Sequence, residues 1–338
     1  MIYPALLKKG DYIGVTAPSM GVIDEYDILR LENAYKNLKE LGYSCIETKN
    51  VRSNEKFVSS PAETRAKEFE ELWQNENISL IISASGGEFL MEMLPYINSE
   101  VIKNSSPKWV QGYSDTSLLL YYLTTNFNIA TVHSVNAKSY GMEKPYESVM
   151  NTLDILNSGN KSIQNSFELY EKDRLPDNEY LAGYNLTEKV EYKHLYGKEK
   201  DTIKGRLIGG CIDVISILLG TKLDNTKNFI KQFDEGMLWY LDNCELSLMS
   251  FYRTVWQMKQ NGWFTNAKGI LVGRTAINKQ VWDLSYEETL HKAFDDLDIP
   301  VIYDIDVGHL APQWTMINGS IAEFNYDNGK GSIVQSLK

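Results

Sequence analysis

The sequence predicts an α/β protein of two domains, with a parallel sheet in its first half and a strand-rich α/β arrangement in its second. Three observations carry this. Short apolar runs alternate with amphipathic segments from residue 11 to 135, the pattern of buried parallel strands joined by helices. The length, 338 residues, is long for one domain and suits two. The rhythm breaks over 166–204, a polar, tyrosine-bearing stretch without apolar periodicity, and then resumes. The expected division is therefore 1–165, a linker or active-site loop at 166–204, and 205–338.

In chain order, 11–19 (DYIGVTAPS) predicts a buried strand running into a polar turn. Residues 28–42 have apolar positions at helical spacing and stop at Gly42, a helix C-cap. A second strand follows at 43–48, an amphipathic helix at 62–75 and a strongly apolar strand at 78–85. Gly86-Gly87 then leads into a helix-like FLMEMLPYI. Residues 107–123 predict a strand, a tight turn at Gly112-Tyr113-Ser114-Asp115 and a helix; 129–135 is the next strand. In the second half, 205–221 predicts a glycine turn entering a buried helix, 236–243 a strand, 249–264 a helix, 267–274 a strand, 286–297 a helix and 300–306 a strand. A turn and a β-like finish follow over 308–325.

Bulk properties exclude several functions. A net charge of −11 argues against a nucleic-acid polymer as partner, because phosphate binding needs concentrated Lys and Arg. No run of about 18 apolar residues is present, so no membrane-spanning helix is expected. The N-terminus lacks a signal-peptide pattern. Cys45, Cys211 and Cys244 are widely spaced, with no CxxC and no zinc spacing; free thiols in a reducing, cytoplasmic setting are expected. There is no HExxH, no P-loop and no GxGxxG, so neither a metal nor another cofactor is expected. Gly86-Gly87-Glu88-Phe89 spells the GGEF signature of nucleotide cyclases, but it joins a strand to a helix-like segment where that signature needs a hairpin.

The turn at Ser114 carries the chemistry. A serine on a tight strand-to-helix turn is lifted clear of the sheet, and the helix N-terminus and next backbone N–H face any charge forming beside it. Thr116 stands where a common hydrolase elbow has glycine, and a plain Ser/Asp helix cap fits the same spacing. A hydrolytic serine needs a base, and the base needs an orienting carboxylate. Of the four histidines, His291 sits among charges on a helix, His194 lies in the irregular stretch, and His133 ends a strand where it would line a site. His309 follows a strand directly on a Gly-flanked loop, a position suited to a base, though a surface histidine fits it too. The carboxylate candidates are Asp242, at a strand end, and Glu245, which could instead cap a helix. Gly86-Gly87 permits close approach of backbone N–H groups, as an oxyanion hole requires, or is a simple turn.

Taken together, these segments resemble the LD-carboxypeptidase and microcin C self-immunity family of serine peptidases over nearly the whole chain. The resemblance is carried by Lys9-Gly10-Asp11-Tyr12-Ile13-Gly14-Val15 with Ala17-Pro18-Ser19, by Ser85-Gly86-Gly87, by Gly112-Tyr113-Ser114-Asp115, by Gly209-Gly210 through Leu219-Gly220-Thr221, and by Gly308-His309 with Pro312-Gln313. It implies a flavodoxin-like N-terminal domain and a homodimer. Ser114 would be the nucleophile, His309 the base and then acid, and the N–H groups of Gly87 and Asp115 the oxyanion hole. The family's "Leu-Glu-Asp" segment reads Leu241-Asp242-Asn243 here, so Asp242 takes the acid position one methylene short, with Glu245 as the substitute. Two substrates are implied: the terminal D-Ala of murein tetrapeptides, or the amide or phosphoramidate linkage of microcin C-like aminoacyl nucleotides. Gly210-Cys211-Ile212-Asp213 and the long 166–204 stretch are more similar to the immunity branch, where Tyr184 or Tyr196 would stack on a base or simply pack. The non-enzymatic rival is a two-domain protein that binds a small molecule without cleaving it.

Overall fold

The computed structural model describes residues 1–159 and 162–337. The chain forms two compact units, Met1–Asn160 with Arg174–Tyr184, and Lys161–Asp173 with Asn185–Lys338.

The first unit runs β1 (Tyr12–Thr16), α1 (Glu25–Glu40), β2 (Ser44–Glu47), α2 (Ala62–Gln74), β3 (Ile78–Ser83), α3 (Ser99–Asn104), β4 (Trp109–Gly112), α4 (Thr116–Phe127), β5 (Thr131–His133) and α5 (Glu147–Ser158). Its strands lie in the order β2-β1-β3-β4-β5, every neighbouring pair parallel. That is a flavodoxin-like doubly wound order, in which the chain reverses direction across the sheet between β1 and β3. The apolar runs of the sequence are explained by burial on both faces: Ile13, Val15, Leu80 and Ile82 are sealed on one, Ile81 and Val110 on the other. Helix α4 is buried from Thr116 to Thr125 and ends on Asn128 in the left-handed conformation.

The second unit runs β6 (Ser162–Asn165), β7 (Leu169–Glu171), β8 (Leu186–Lys189), β9 (Lys193–His194), β10 (Lys200–Cys211), α6 (Ile212–Ile215), α7 (Thr226–Ile230), β11 (Met237–Asp242), α8 (Leu248–Gln260), β12 (Ala267–Gly273), α9 (Tyr286–Phe294), β13 (Val301–Ile305), β14 (Met316–Asn318), β15 (Ile321–Asp327) and β16 (Lys330–Ser336). An eight-stranded sheet has the order β6-β16-β15-β10-β11-β12-β13-β9. Its four central strands, β10 to β13, are parallel and the flanking ones antiparallel. The C-terminal ends of parallel strands are where α/β proteins hold ligands, and here they carry Cys211, Asp242 and the loop after β13.

Three expectations differ from what is found. The helix expected at 89–97 is a pair of 3-10 turns, Leu90–Glu92 and Leu94–Tyr96. Pro95 has no N–H to give and bars a continuous α-helix. The glycine turn expected from residue 205 is the second half of β10; Gly209 lets the backbone of β11 pass close, since a Cβ there would lie 1.9 Å from the carbonyl oxygen of Tyr240. The segment 166–204 contains β7, β8, β9 and the start of β10, held by backbone ladders with largely polar side chains, so apolar periodicity is absent. Within it, 174–184 packs on the first unit: Arg30 donates to the carbonyls of Tyr180 at 2.8 Å and Ala182 at 3.3 Å. Among the described residues no helix is long and apolar enough to cross a membrane.

Ile82, fully buried in β3 beside β1 and β4, tests the first unit's core. Ile82→Ala is expected to cost about 2–5 kcal/mol, read as a lowered denaturant midpoint.

Candidate active site

In the first unit, three loops meet at Ser114. The loop after β4 turns through Ser114 at φ +60°, a left-handed conformation that a serine rarely adopts. Such strain persists only where surrounding structure imposes it, and a strand-to-helix turn of this kind is what a nucleophile elbow would require. The half-buried hydroxyl has room because residue 86 has no side chain: a Cβ on Gly86 would lie 2.9 Å from both Cβ and Oγ of Ser114. Gly87 follows at φ +149°, and a Cβ there would meet Ser19 Oγ at 2.2 Å. Thr116, where other elbows have glycine, fits because Gly112 lacks the side chain that would strike its methyl. The helix-cap alternative is not realised by Asp115, which stands at the N-cap of α4 without capping it.

The Asp115 carboxylate instead turns inward. One oxygen accepts from Ser19 Oγ at 2.5 Å and from the Leu90 N–H at 2.9 Å, tying the turn to the loops after β1 and β3. Burial pushes its carboxyl above the usual range, against the opposing pull of those two donors and the Arg65 guanidinium. Arg65, fully buried on α2, braces the same loops by donating to the carbonyls of Pro18 at 3.0 Å and Phe89 at 2.9 Å, and pairs with Glu92 at 2.7 Å. Sequence reasoning used only the Asp115 N–H and missed the carboxylate, Ser19 and Arg65. An arginine inside the apolar face of 62–75 was the available signal.

In the second unit, Asp242 ends β11, fully buried, and its Oδ2 lies 2.9 Å from Nδ1 of His309. Neither carboxylate oxygen receives an aligned hydrogen bond from a described residue. Gly308, at φ +109°, makes the approach possible: a Cβ there would lie 2.1 Å from Asp242 Oδ1. His309 keeps about 18% of its side chain exposed. Its loop is held from behind by Asp306, which is fully buried and pairs with Arg274 and the Tyr192 hydroxyl while accepting from the Phe167 N–H at 2.9 Å. Arg274 also donates to the Pro312 carbonyl at 3.2 Å, spanning the loop. Arg274 and Asp306 were missed as well, although charges inside the apolar runs ILVGR and VIYDID marked them.

Glu245, the alternative acid, is exposed; its backbone N–H goes to Asp213 at 2.7 Å. His133 is fully buried in β5 with Nδ1 3.2 Å from Ser117 Oγ. His194 pairs with Asp201 at 3.1 Å, and His291 with Asp295 at 2.9 Å along α9. Tyr184 packs edge-on against Tyr146, and Tyr196 stands between His194 and His291. Each of these aromatic contacts stays within one unit. All three cysteines are free thiols.

Comparison with known proteins agrees in both halves. Residues 13–134 match the LD-carboxypeptidase N-terminal domain and residues 204–324 the LD-carboxypeptidase C-terminal domain. The microcin C7 self-immunity protein MccF of Escherichia coli is 25% identical over 312 residues, 88% of this chain and 86% of that protein. Among solved structures, an MccF-like protein from Bacillus anthracis has a TM-score of 0.85 at 24% identity, covering 100% of both chains. MccF in complex with glutamyl sulfamoyl guanosine has a TM-score of 0.83 at 23% identity, covering 100% of this chain and 99% of that one. These likenesses establish the shared fold.

Gly86→Ala places a methyl against the Ser114 hydroxyl without disturbing a buried core. Turnover of a cleavable substrate is expected to fall by about 10²-fold, the effect of a displacement near 1 Å, with the thermal midpoint nearly unchanged.

Proposed function

This chain belongs to the LD-carboxypeptidase family, and we propose that it is a serine hydrolase that cleaves an amide bond in a small peptide-like substrate, with aminoacyl nucleotides of the microcin C type as its substrate class. The observation that carries the reading is the left-handed Ser114, with Gly86 clearing space for its hydroxyl. A buried carboxylate at ion-pair distance from a partly exposed histidine supplies the second half of a triad.

In this mechanism Ser114 Oγ attacks the carbonyl carbon while His309 takes its proton. The Asp242 carboxylate orients the imidazole and stabilises the imidazolium that forms. The oxyanion is received by the N–H groups of Gly87 and Asp115; such donors cost no reorganisation when their backbone is already fixed. Collapse of the tetrahedral intermediate breaks the C–N bond, and His309 gives its proton to the departing nitrogen. Water, activated by the same histidine, then hydrolyses the acyl-serine and restores the hydroxyl. Asp242 is preferred to Glu245 because of its burial and its 2.9 Å approach to Nδ1.

The substrate class rests on likeness to MccF, whose structures include complexes with glutamyl sulfamoyl guanosine and aspartyl sulfamoyl adenosine. Removal of terminal D-Ala from a murein tetrapeptide is the second reading, favoured by the description of the two matched family domains.

Purified protein offered both compounds should release the amino acid from an aminoacyl-sulfamoyl adenosine, followed by mass spectrometry; loss of D-Ala from the tetrapeptide alone would move the assignment to the second reading. Ser114→Ala should lower hydrolysis by roughly 10⁴- to 10⁶-fold with binding retained. Absence of hydrolysis in both forms would leave a binding protein. Asp242→Asn should cost about 10³- to 10⁴-fold and Glu245→Gln little, and the reverse order would make Glu245 the acid.

A further inference from the structure

The end of β10 brings a thiol to the Asp242–His309 pair. Cys211 and Asp242 are register partners on the adjacent parallel strands β10 and β11. Register partners on neighbouring strands send their side chains to the same face. His309 arrives from the loop after β13. As a result one sulfur of Cys211, one carboxylate oxygen of Asp242 and one ring nitrogen of His309 all lie within 4.8 Å of one another. Thiolate, imidazole and carboxylate together are the donor set of zinc and of other thiophilic dications. Zinc bonds of about 2.0–2.3 Å put tetrahedral ligands roughly 3.3–3.8 Å apart, so a shift of about 1 Å or less would close the three around one ion.

The surroundings fit a cation. Asp242 is fully buried, no described residue gives either of its oxygens an aligned hydrogen bond, and the group set against it is the imidazole of His309. Asp213, the other nearby carboxylate, is already engaged. It accepts the N–H groups of Cys244 at 3.0 Å, Glu245 at 2.7 Å and Leu246 at 3.1 Å, and so is a brace and not a ligand. Cys211 is 2% exposed, and its thiol donates to Asp213 Oδ2 at 3.4 Å, a bond it gives up on taking a metal. The His309 side chain is 18% exposed although both ring nitrogens are buried, so the cluster lies just beneath the surface.

We propose that Cys211, Asp242 and His309 form a binding site for a thiophilic divalent cation such as Zn²⁺, and that its occupation switches the hydrolase off. As the metal–sulfur bond forms, the Cys211 thiol loses its proton to solvent; nothing is oxidised or reduced. The inhibitory half rests on the triad reading given above: the ion takes the imidazole lone pair and the carboxylate that proton transfer from Ser114 requires. The binding half does not depend on that reading.

The two halves are separable. Co²⁺ added to the metal-free, full-length protein should produce a near-ultraviolet thiolate-to-cobalt absorption band with intense tetrahedral visible bands, and Zn²⁺ should displace it. The band should vanish in Cys211→Ser and persist in Cys244→Ser and Cys45→Ser. No band in the wild type, or one that survives Cys211→Ser, overturns the site. Should Cys211→Ser not fold, X-ray absorption at the zinc edge of the wild type decides: a shell containing sulfur supports the site, and nitrogen and oxygen alone overturn it. In hydrolysis, Zn²⁺ should inhibit at least tenfold, a chelator should restore activity, and Cys211→Ser should raise the inhibiting concentration by about 10²-fold or more. A Cys211-dependent band without inhibition keeps the metal site, ends the switch, and contradicts His309 as the base.

Discussion

The Asp115 carboxylate is the interaction on which the geometry at Ser114 depends. Ser114 is held at a backbone conformation that costs on the order of 1–3 kcal/mol, and something must hold it there. Asp115 does so by gathering the loops after β1, β3 and β4: its own backbone continues the turn, while its side chain takes the Ser19 hydroxyl and the Leu90 N–H. Burial makes this expensive for an ionised carboxylate, and the two donors with the Arg65 charge are what keep it tenable. Three loops drawn this close are crowded: a Cβ on Gly87 would meet Ser19 Oγ at 2.2 Å, and one on Gly86 would press on the Ser114 side chain at 2.9 Å.

The second unit repeats the device with different residues. Asp306, buried and paired with Arg274, pins the base of the loop after β13, and Arg274 reaches across to the Pro312 carbonyl. Removing one member of such a pair would strand the other as an uncompensated buried charge, so both are needed to keep the loop in place. His309 is carried between these anchors, and Gly308 brings it against Asp242. In each unit a buried carboxylate outside the proposed triad fixes the backbone that presents a proposed reactive side chain. The proposed reactive groups stand at the C-terminal ends of parallel strands, where loops can vary without disturbing the core.

Much of this was legible in the sequence, for physical reasons. Strands buried on both faces must be apolar throughout, so β1, β3, β11, β12 and β13 announce themselves, and the Gly112–Asp115 turn is local enough to read directly. What escaped was either polar or non-local. β7, β8 and β9 are short and partly solvated, so no periodicity marks them. The glycines of β10 read as a turn because close passage of another strand is invisible in one dimension. The pairing of Cys211 with Asp242 is a matter of register between strands about 30 residues apart, and no local pattern encodes it. The carboxylate of Asp115 was overlooked because its partners come from positions 19 and 90, far away along the chain.

The central claim is that Ser114 is an activated nucleophile. Its most direct test is covalent capture with a fluorophosphonate, followed by peptide mapping of the adduct. The account predicts a single modified site at Ser114, with the labelling rate sharply reduced in Asp242→Asn. An unlabelled protein, or an adduct at another serine, would contradict it.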